Sequence, residues 1–158
     1  MVAKGNPKRI RGLPDLRRDD LRLVDRQRGS GTRLVFDQLL AQAGIKRARA
    51  AGYPLEEFTH LAVASAVAGG IADVGFGIRA AAAELGLGFI ALVNERYFFA
   101  CRADRLEGRQ IQGIIGVLRG KAFRAVLGSL PGYDDSITGR VFGTADGLAG
   151  PRPARREA

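Results

Sequence analysis

The sequence has few residues that bind metals or form covalent cross-links. Its 158 residues include one cysteine, Cys101, one histidine, His60, and no tryptophan. A single cysteine excludes an internal disulfide, and one cysteine with one histidine is too small a ligand set for a structural zinc ion. We therefore predict neither a disulfide framework nor a metal site.

Long hydrophobic runs are also missing. The uncharged stretch from Leu61 to Ala72 ends at Asp73, and it is shorter than the roughly 20 apolar residues that cross a bilayer. The basic segment from Met1 to Leu13 is not followed by an apolar run, so it does not have the pattern of a secretory signal. These features predict a cytoplasmic protein that does not bind membranes.

Basic and apolar residues are plentiful instead. Hydrophobic residues make up 46% of the chain, enough for one domain with a buried core. Lysine and arginine number 25 against 16 aspartate and glutamate residues, which gives a formal net charge of +9. A basic excess of this size favours anionic partners.

Strand-like and helix-like apolar runs alternate between 22 glycines, a pattern typical of an α/β domain. The predicted strands are Leu21 to Val24, Ile71 to Gly75, Phe89 to Val93 and Tyr97 to Arg102. The predicted helices begin at Ser30-Gly31-Thr32 and near Thr59, and cover Ile78 to Leu85, Glu107 to Leu118 and Ala122 to Leu127. We expect the proline- and arginine-rich tail to be disordered.

The segment from Arg26 to Arg33 places glycines, hydroxyls and arginines between a strand and a helix. The first turn of a helix has unpaired N–H donors and a partial positive charge, so this segment is a candidate anion site. Its candidate ligand-binding residues are Arg28, Ser30, Gly31, Thr32 and Arg33. The alternative is that a hydroxyl only caps the helix and the arginines are solvated. The segment does not match the phosphate-binding G-x-x-x-x-G-K-[ST] motif of nucleotide hydrolases.

Thr59 and His60 form a second candidate, because a helix that begins there directs another set of N–H groups at a ligand. The alternative is an N-cap with a surface histidine. No serine or cysteine nucleophile stands in a recognisable arrangement with His60, so we identify no catalytic residue and predict that the protein is not an enzyme.

Two other patterns point to different ligands. The segment from Gly75 to Ala80, with Glu95 further on, matches a dinucleotide fingerprint. Too little α/β sequence follows to complete a nucleotide-binding sheet, so we predict no cofactor and keep dinucleotide binding as an alternative. A turn where the backbone packs closely explains the glycines more simply. The basic N-terminal region favours phosphate attraction, yet no DNA-binding motif is present, and nucleic acid remains an alternative partner.

A series of motifs in a fixed order carries a family resemblance. The motifs are Arg26 to Arg33, Gly52-Tyr53, Glu57 to His60, Ala62 to Gly69, Ala72 to Gly75, Gly77 to Ala82, Glu95 to Tyr97 and Leu130 to Asp134. From about Val2 to Val141 the chain resembles the periplasmic-binding-protein-like domain of molybdate-related transcriptional regulators and molybdopterin biosynthesis proteins.

The resemblance implies a type 2 periplasmic-binding fold, in which ligand lies between two α/β lobes. This chain would supply mainly the second lobe and the C-terminal return segment, and would lack most of the first lobe. The implied parts are a basic lead-in or hinge at 1–20, the second-lobe unit at 21–95, a return strand with helices at 96–148 and a disordered tail at 149–158.

The implied function is that of a sensor or regulator related to molybdenum metabolism. Its ligand would be a tetrahedral oxyanion such as molybdate or tungstate, bound by Ser30 to Arg33 with Thr59 and His60 facing the same cleft. Apolar surface on the return segment would favour homo-oligomers. The alternatives are a regulatory fragment that binds nucleic acid or a protein partner through its basic N-terminal region, and part of a molybdopterin biosynthesis enzyme.

Overall fold

The computed structural model describes residues 1–46 and 55–143, which form two compact units. The first unit is Met1–Ala91 and the second begins at Leu92. The Gly52-Tyr53 motif and the predicted disordered tail from residue 149 lie outside the described residues.

The first unit is built on a parallel sheet of three short strands. The strands are β1 (Leu23–Arg26), β2 (Leu55–Glu57) and β3 (Val74–Gly75), in the order β2-β1-β3. In the central strand, Val24 is in register with Leu55 on one side and with Gly75 on the other. Parallel strands joined through helices confirm the predicted α/β class.

Three helices follow the three strands. They are α1 (Gly31–Gln42), α2 (His60–Ala68) and α3 (Arg79–Glu84). Ser30 and Thr59 are the N-cap residues of α1 and α2, so both predicted helix starts are confirmed. The third helix is two residues shorter than predicted, because it begins one residue later and ends one residue earlier.

The sheet separates two apolar clusters. Successive residues of a strand face opposite sides, so Leu23 and Val24 belong to different clusters. Phe36 and Leu40 of α1 pack with Leu23, whereas α2 contributes Val63 and Val67 to the cluster of Val24. The two helices therefore cover opposite faces of the sheet.

Gly75 permits the close approach of β3 to α2. A Cβ atom at this position would lie 2.5 Å from Val63 Cγ1 and 3.0 Å from Val24 Cγ1. Both valines are fully buried, so neither has room to move away. Close packing accounts for the first glycine of the dinucleotide-like fingerprint without a nucleotide.

The first strand begins two residues later than predicted. Leu21 is buried in the core and precedes the strand. Next to it, Arg22 Nη2 donates to Asp73 Oδ1 at 3.0 Å, and the Asp73 backbone N–H donates to Arg22 O at 2.8 Å. Hydrogen bonds from Arg22 hold the pKa of Asp73 below its usual value. The apolar character of Leu21 thus reflects core packing and not strand pairing.

The predicted strands at Phe89–Val93 and Tyr97–Arg102 are wrong. Within residues 1–46 and 55–143 no strand forms over either segment. Phe89 and Ile90 pack against the two apolar clusters without a ladder, while Tyr97 and Phe99 are 79% and 77% exposed. Apolar, β-prone residues predicted strands here, but a strand also requires a neighbouring strand to accept its hydrogen bonds.

The second unit contains the two predicted C-terminal helices. They are α4 (Arg109–Arg119) and α5 (Lys121–Ser129), preceded by a 3₁₀ turn at Ala103–Arg105. Arg119 Nε donates to Gly139 O at 3.0 Å, and Arg124 Nη2 donates to Asp135 O at 2.9 Å, which fastens the following segment to the helices. Across the described parts of the chain, no helix is long and apolar enough to cross a membrane.

Candidate functional site

The candidate site lies at the carboxyl edge of the sheet, where β1 leads to α1 and the neighbouring β2 leads to α2. Because these helices cover opposite faces, their N-termini diverge from adjacent strands, which is the arrangement that forms a crevice in open α/β sheets. Ligands of open α/β sheets bind in such crevices, outside the carboxyl ends of the strands. The topology thus brings the two predicted groups of site residues to one edge.

Direct hydrogen bonds join the two strand ends. The Gln27 backbone N–H donates to Glu57 O at 3.0 Å, and Arg26 Nη2 donates to Phe58 O at 2.8 Å. Phe58 immediately precedes the Thr59 cap, so Arg26 connects the end of β1 to the start of α2.

Both hydroxyl caps retain a hydrogen for a ligand. Ser30 Oγ accepts from the Arg33 backbone N–H at 3.2 Å, and Thr59 Oγ1 accepts from the Ala62 N–H at 3.0 Å. A hydroxyl that accepts one hydrogen bond still has its own O–H to donate. Gly29, with a φ of +86°, makes the turn that delivers Ser30 to the start of α1. The site therefore offers hydroxyl donors beside first-turn N–H groups, a combination that suits an anion.

Arg33 lies below this edge in a cluster of carboxylates. Its Nη1 donates to Arg26 O at 2.8 Å and to Glu56 Oε1 at 3.1 Å. Its Nε lies 3.2 Å from Asp25 Oδ2 and 3.4 Å from Asp37 Oδ2, although neither contact has good hydrogen-bond geometry. Only 6% of Arg33 is exposed, so the guanidinium ties α1 to β1 and β2.

The other candidates in this segment differ in exposure. The Arg28 side chain is 89% exposed, with Nε 3.9 Å from Glu56 Oε1. Gly31 is exposed at the first position of α1, whereas Thr32 is buried. Arg28 and Gly31 therefore lie at the surface near the crevice, and Thr32 packs inside.

His60 begins α2 and is half-buried. Burial lowers the pKa of its imidazole below 6.5, and the positive charge of Arg26 lowers it further. Its Nδ1 is buried, without a hydrogen-bond partner among the described residues. A Cβ atom added to Gly77 would lie 3.1 Å from this nitrogen, so the loop after β3 packs directly against the start of α2.

Sequence reasoning missed the carboxylates around Arg33. Asp25 is a 3% exposed carboxylate in the central strand, and a buried charge of this kind requires a partner. The four-residue spacing of Arg33 and Asp37 is a helical ion-pair spacing that was readable from the sequence. The strand pairing that adds Glu56 was not readable from local pattern.

The described residues offer no metal site, and their apolar cavity lies away from the caps. In residues 1–46 and 55–143 no three His, Cys, Asp or Glu side chains are arranged so that they could hold a metal ion. A cavity of about 150 Å³ lies where β1 and β2 begin, at the edge of the sheet away from the caps, and is mostly apolar. Its lining residues are Arg22, Leu23, Leu55, Ile71 and Ala72.

Comparison with known proteins identifies a family and two relatives of this chain. The model of the PBP superfamily domain matches residues 1–119. Uncharacterized protein YvgK of Bacillus subtilis is 36% identical over 141 residues, which cover 89% of this chain and 45% of that protein. The chain thus spans less than half of the Bacillus relative.

A second relative is shorter. The Clostridium pasteurianum "Uncharacterized protein in ferredoxin 2Fe-2S gene 5'region" is 31% identical over 109 residues, which cover 68% of this chain and 96% of that protein. No solved structure matches the chain.

Proposed function

Since the chain belongs to the PBP superfamily domain family, whose members are periplasmic-binding-protein-like, we propose that its first unit binds a small tetrahedral oxyanion at the N-termini of α1 and α2. Molybdate and tungstate are the proposed ligands. The role we propose for the protein is that of a cytoplasmic, non-enzymatic sensor or regulator related to molybdenum metabolism. The resemblance of its ordered motifs to molybdate-related regulators supports this choice of ligand.

One observation carries the proposal. Two capped helices, each longer than two turns, begin at adjacent strands of one sheet edge, and Arg26 links them through Phe58 O. Their first turns contribute unpaired N–H groups and partial positive charge to the same crevice. Ser30 and Thr59 add hydroxyl donors, which together fit several oxygens of one anion.

Titration calorimetry with molybdate, tungstate, sulfate and phosphate tests the proposal. We expect saturable binding of at least one of these ions, accompanied by a higher melting temperature, because a ligand that binds only the folded state stabilises it. If none of the four ions produces heat or a shift in melting temperature, the chain is not an oxyanion-binding domain.

The affinity for sulfate is expected to rise as the pH falls from about 7.5 to about 5.5, a range in which sulfate keeps both charges. The free protein has a His60 pKa below 6.5. A bound dianion favours the imidazolium and raises this pKa, so binding takes up a proton and strengthens with acidity. Calorimetry across this range checks the slope, and His60→Gln provides the control, since that variant should have a flat profile. A flat profile in the unmodified protein would contradict the placement of His60 beside the ligand.

We also propose that the chain forms homo-oligomers through the exposed aromatic segment of its second unit. Tyr97 and Phe99 are largely exposed, and exposed apolar patches commonly mark association surfaces. Sedimentation of the unmodified chain and a Tyr97→Ser/Phe99→Ser variant would distinguish a dimer from a monomer. Equal monomeric behaviour of both proteins would contradict the proposal.

Nucleic acid is the competing partner, favoured by the exposed Lys4, Arg9 and Arg11 of the N-terminal region. Two other cations of this region, Lys8 and Arg18, share the single carboxylate of Asp20, so the three groups together keep one positive charge. Salt-sensitive retention on DNA, with no response to oxyanions, would favour the competing function.

A further inference from the structure

The carboxylates around Arg33 leave excess negative charge near the proposed ligand. Asp25, Asp37 and Glu56 all lie within 3.4 Å of the Arg33 guanidinium, so three carboxylates share one buried cation. Glu56 belongs to β2 and precedes the Thr59 cap by three residues. An oxyanion at the caps therefore meets the negative charge of this cluster, which weakens binding unless a cation offsets it.

Arg28 occupies the corner of the turn that leads from β1 to α1. Across this turn the Ser30 backbone N–H donates to Gln27 O at 3.3 Å, and Gly29 has a φ of +86°. The Arg28 backbone thus lies two residues before the Ser30 cap. Its Nε lies 3.9 Å from Glu56 Oε1, so the side chain extends from this turn across the strand ends toward β2.

Arg28 is held more loosely than Glu56. The Arg28 side chain is 89% exposed, and its contact with Glu56 is longer than a charged hydrogen bond of about 2.7–2.9 Å. Exposed ion pairs of this kind contribute little to stability. Glu56 has a second and shorter contact, because Arg33 Nη1 donates to its Oε1 at 3.1 Å. Arg28 can therefore leave at little cost while Arg33 keeps Glu56 in place.

We propose that Arg28 exchanges between Glu56 in the free protein and the oxyanion in the complex, so that Glu56 competes with the ligand and lowers its affinity. This inference rests on the proposed function and adds Glu56, a residue that the motifs did not assign to the site. Arg28 contacts the ligand through its guanidinium fork, and Glu56 is a positioning residue that acts through Arg28. A doubly charged anion attracts Arg28 more strongly than a singly charged one, so the exchange favours dianions.

Calorimetry of the unmodified chain, Arg28→Gln, Glu56→Gln and the double variant tests the exchange as a double-mutant cycle. The probes are tungstate and sulfate, with perrhenate and perchlorate as singly charged tetrahedral ions of matching size. We expect Arg28→Gln to lose about tenfold in affinity for the dianions, and less for the monoanions. Glu56→Gln keeps an oxygen that can accept from Arg33, and it should gain at least about threefold for the dianions. In the Arg28→Gln background the same change should gain less than about twofold.

Asp20→Asn is the matched control. Asp20 also pairs with an exposed arginine, Arg18, but it precedes β1 and lies away from the carboxyl edge of the sheet. The change alters the net charge by the same amount as Glu56→Gln, and we expect it to change the affinity by less than about twofold. The melting temperature of each ligand-free variant shows whether it is folded.

Each outcome bears on the inference. Affinity for the dianions that falls in Arg28→Gln, and rises in Glu56→Gln only when Arg28 is present, would support it. Equal gains from Glu56→Gln with and without Arg28, normal binding in Arg28→Gln, or an equal gain in Asp20→Asn would overturn it and leave the proposed function in place. If Glu56→Gln does not fold, Arg28→Gln decides alone, since its loss must be greater for tungstate than for perrhenate. Absence of binding by all of these proteins would overturn both the inference and the proposed function.

Discussion

Replacement of Arg33 by methionine is expected to lower the free energy of unfolding by about 3–5 kcal/mol. The change leaves Asp25, which is only 3% exposed in the central strand, without the cation that lies 3.2 Å from it. Glu56 and Asp37 lose the same partner. Methionine fills similar volume, so the loss comes more from the missing positive charge beside a buried carboxylate than from a cavity; Asp25 Oδ1 still accepts the Arg26 backbone N–H at 2.7 Å. Denaturant unfolding of the two proteins at neutral pH measures the difference.

A double variant separates charge from packing. Adding Asp25→Leu to Arg33→Met removes the buried carboxylate that lost its nearby cation, and replacing both members of a buried ion pair by apolar residues is often neutral or stabilising. We therefore expect the double variant to be more stable than Arg33→Met alone. A single variant that loses less than about 1 kcal/mol, or a double variant that is less stable than the single one, would contradict this account of the cluster.

The same variants bear on the ligand. The N–H groups of Arg33 point at Arg26 O and at carboxylates. We therefore expect Arg33 to affect binding by holding the end of the strand in shape, and not by contacting the ligand. This positioning role differs from the role that the motif predicted, because the motif grouped Arg33 with Ser30 and Thr32 as ligand-binding residues. The prediction that Arg33 binds ligand directly stays open to the binding measurement on a folded Arg33→Lys variant.

The helix starts were predictable because their signals are local. A hydroxyl residue before an apolar, helix-spaced run identifies a cap from sequence alone, and Ser30 and Thr59 both make the expected bonds to the third N–H. Glycines at helix ends and turns are similarly local signals of where an element stops. The class of the fold follows from the alternation of these helices with short apolar strands.

The failures arise where structure depends on distant partners. Phe89 to Val93 has the composition of a strand, yet two of its residues, Phe89 and Ile90, are partly buried against existing clusters without backbone pairing. The environment of Arg33 depends on Glu56, which reaches it only because β2 pairs with β1.

Replacement of Ser30 by aspartate is expected to abolish oxyanion binding while leaving the helix capped. Aspartate is as good an N-cap as serine, so its carboxylate should accept the Arg33 N–H that Ser30 Oγ accepts at 3.2 Å. The same carboxylate, however, places a negative charge where the ligand oxygen would lie and replaces a hydroxyl donor by an acceptor. We expect an affinity loss of at least about a hundredfold, because one charged hydrogen bond is lost and like charges repel. Calorimetry with molybdate measures the loss, and thermal unfolding without ligand monitors the cap.

Three further variants separate the loss of the helix cap from the loss of the ligand contact. Ser30→Ala removes both the cap and the donor, so it should lose about 1 kcal/mol of stability as well as affinity, whereas Ser65→Ala, on the exposed middle of α2, should change neither. Thr59→Asp should reproduce the effect of Ser30→Asp, since Thr59 caps the second helix in the same way. If both aspartate variants are stable and bind molybdate like the unmodified chain, the ligand does not lie between the two caps. If only Ser30→Asp loses binding, α1 alone holds the anion, and α2 contributes to the sheet edge but not to the site.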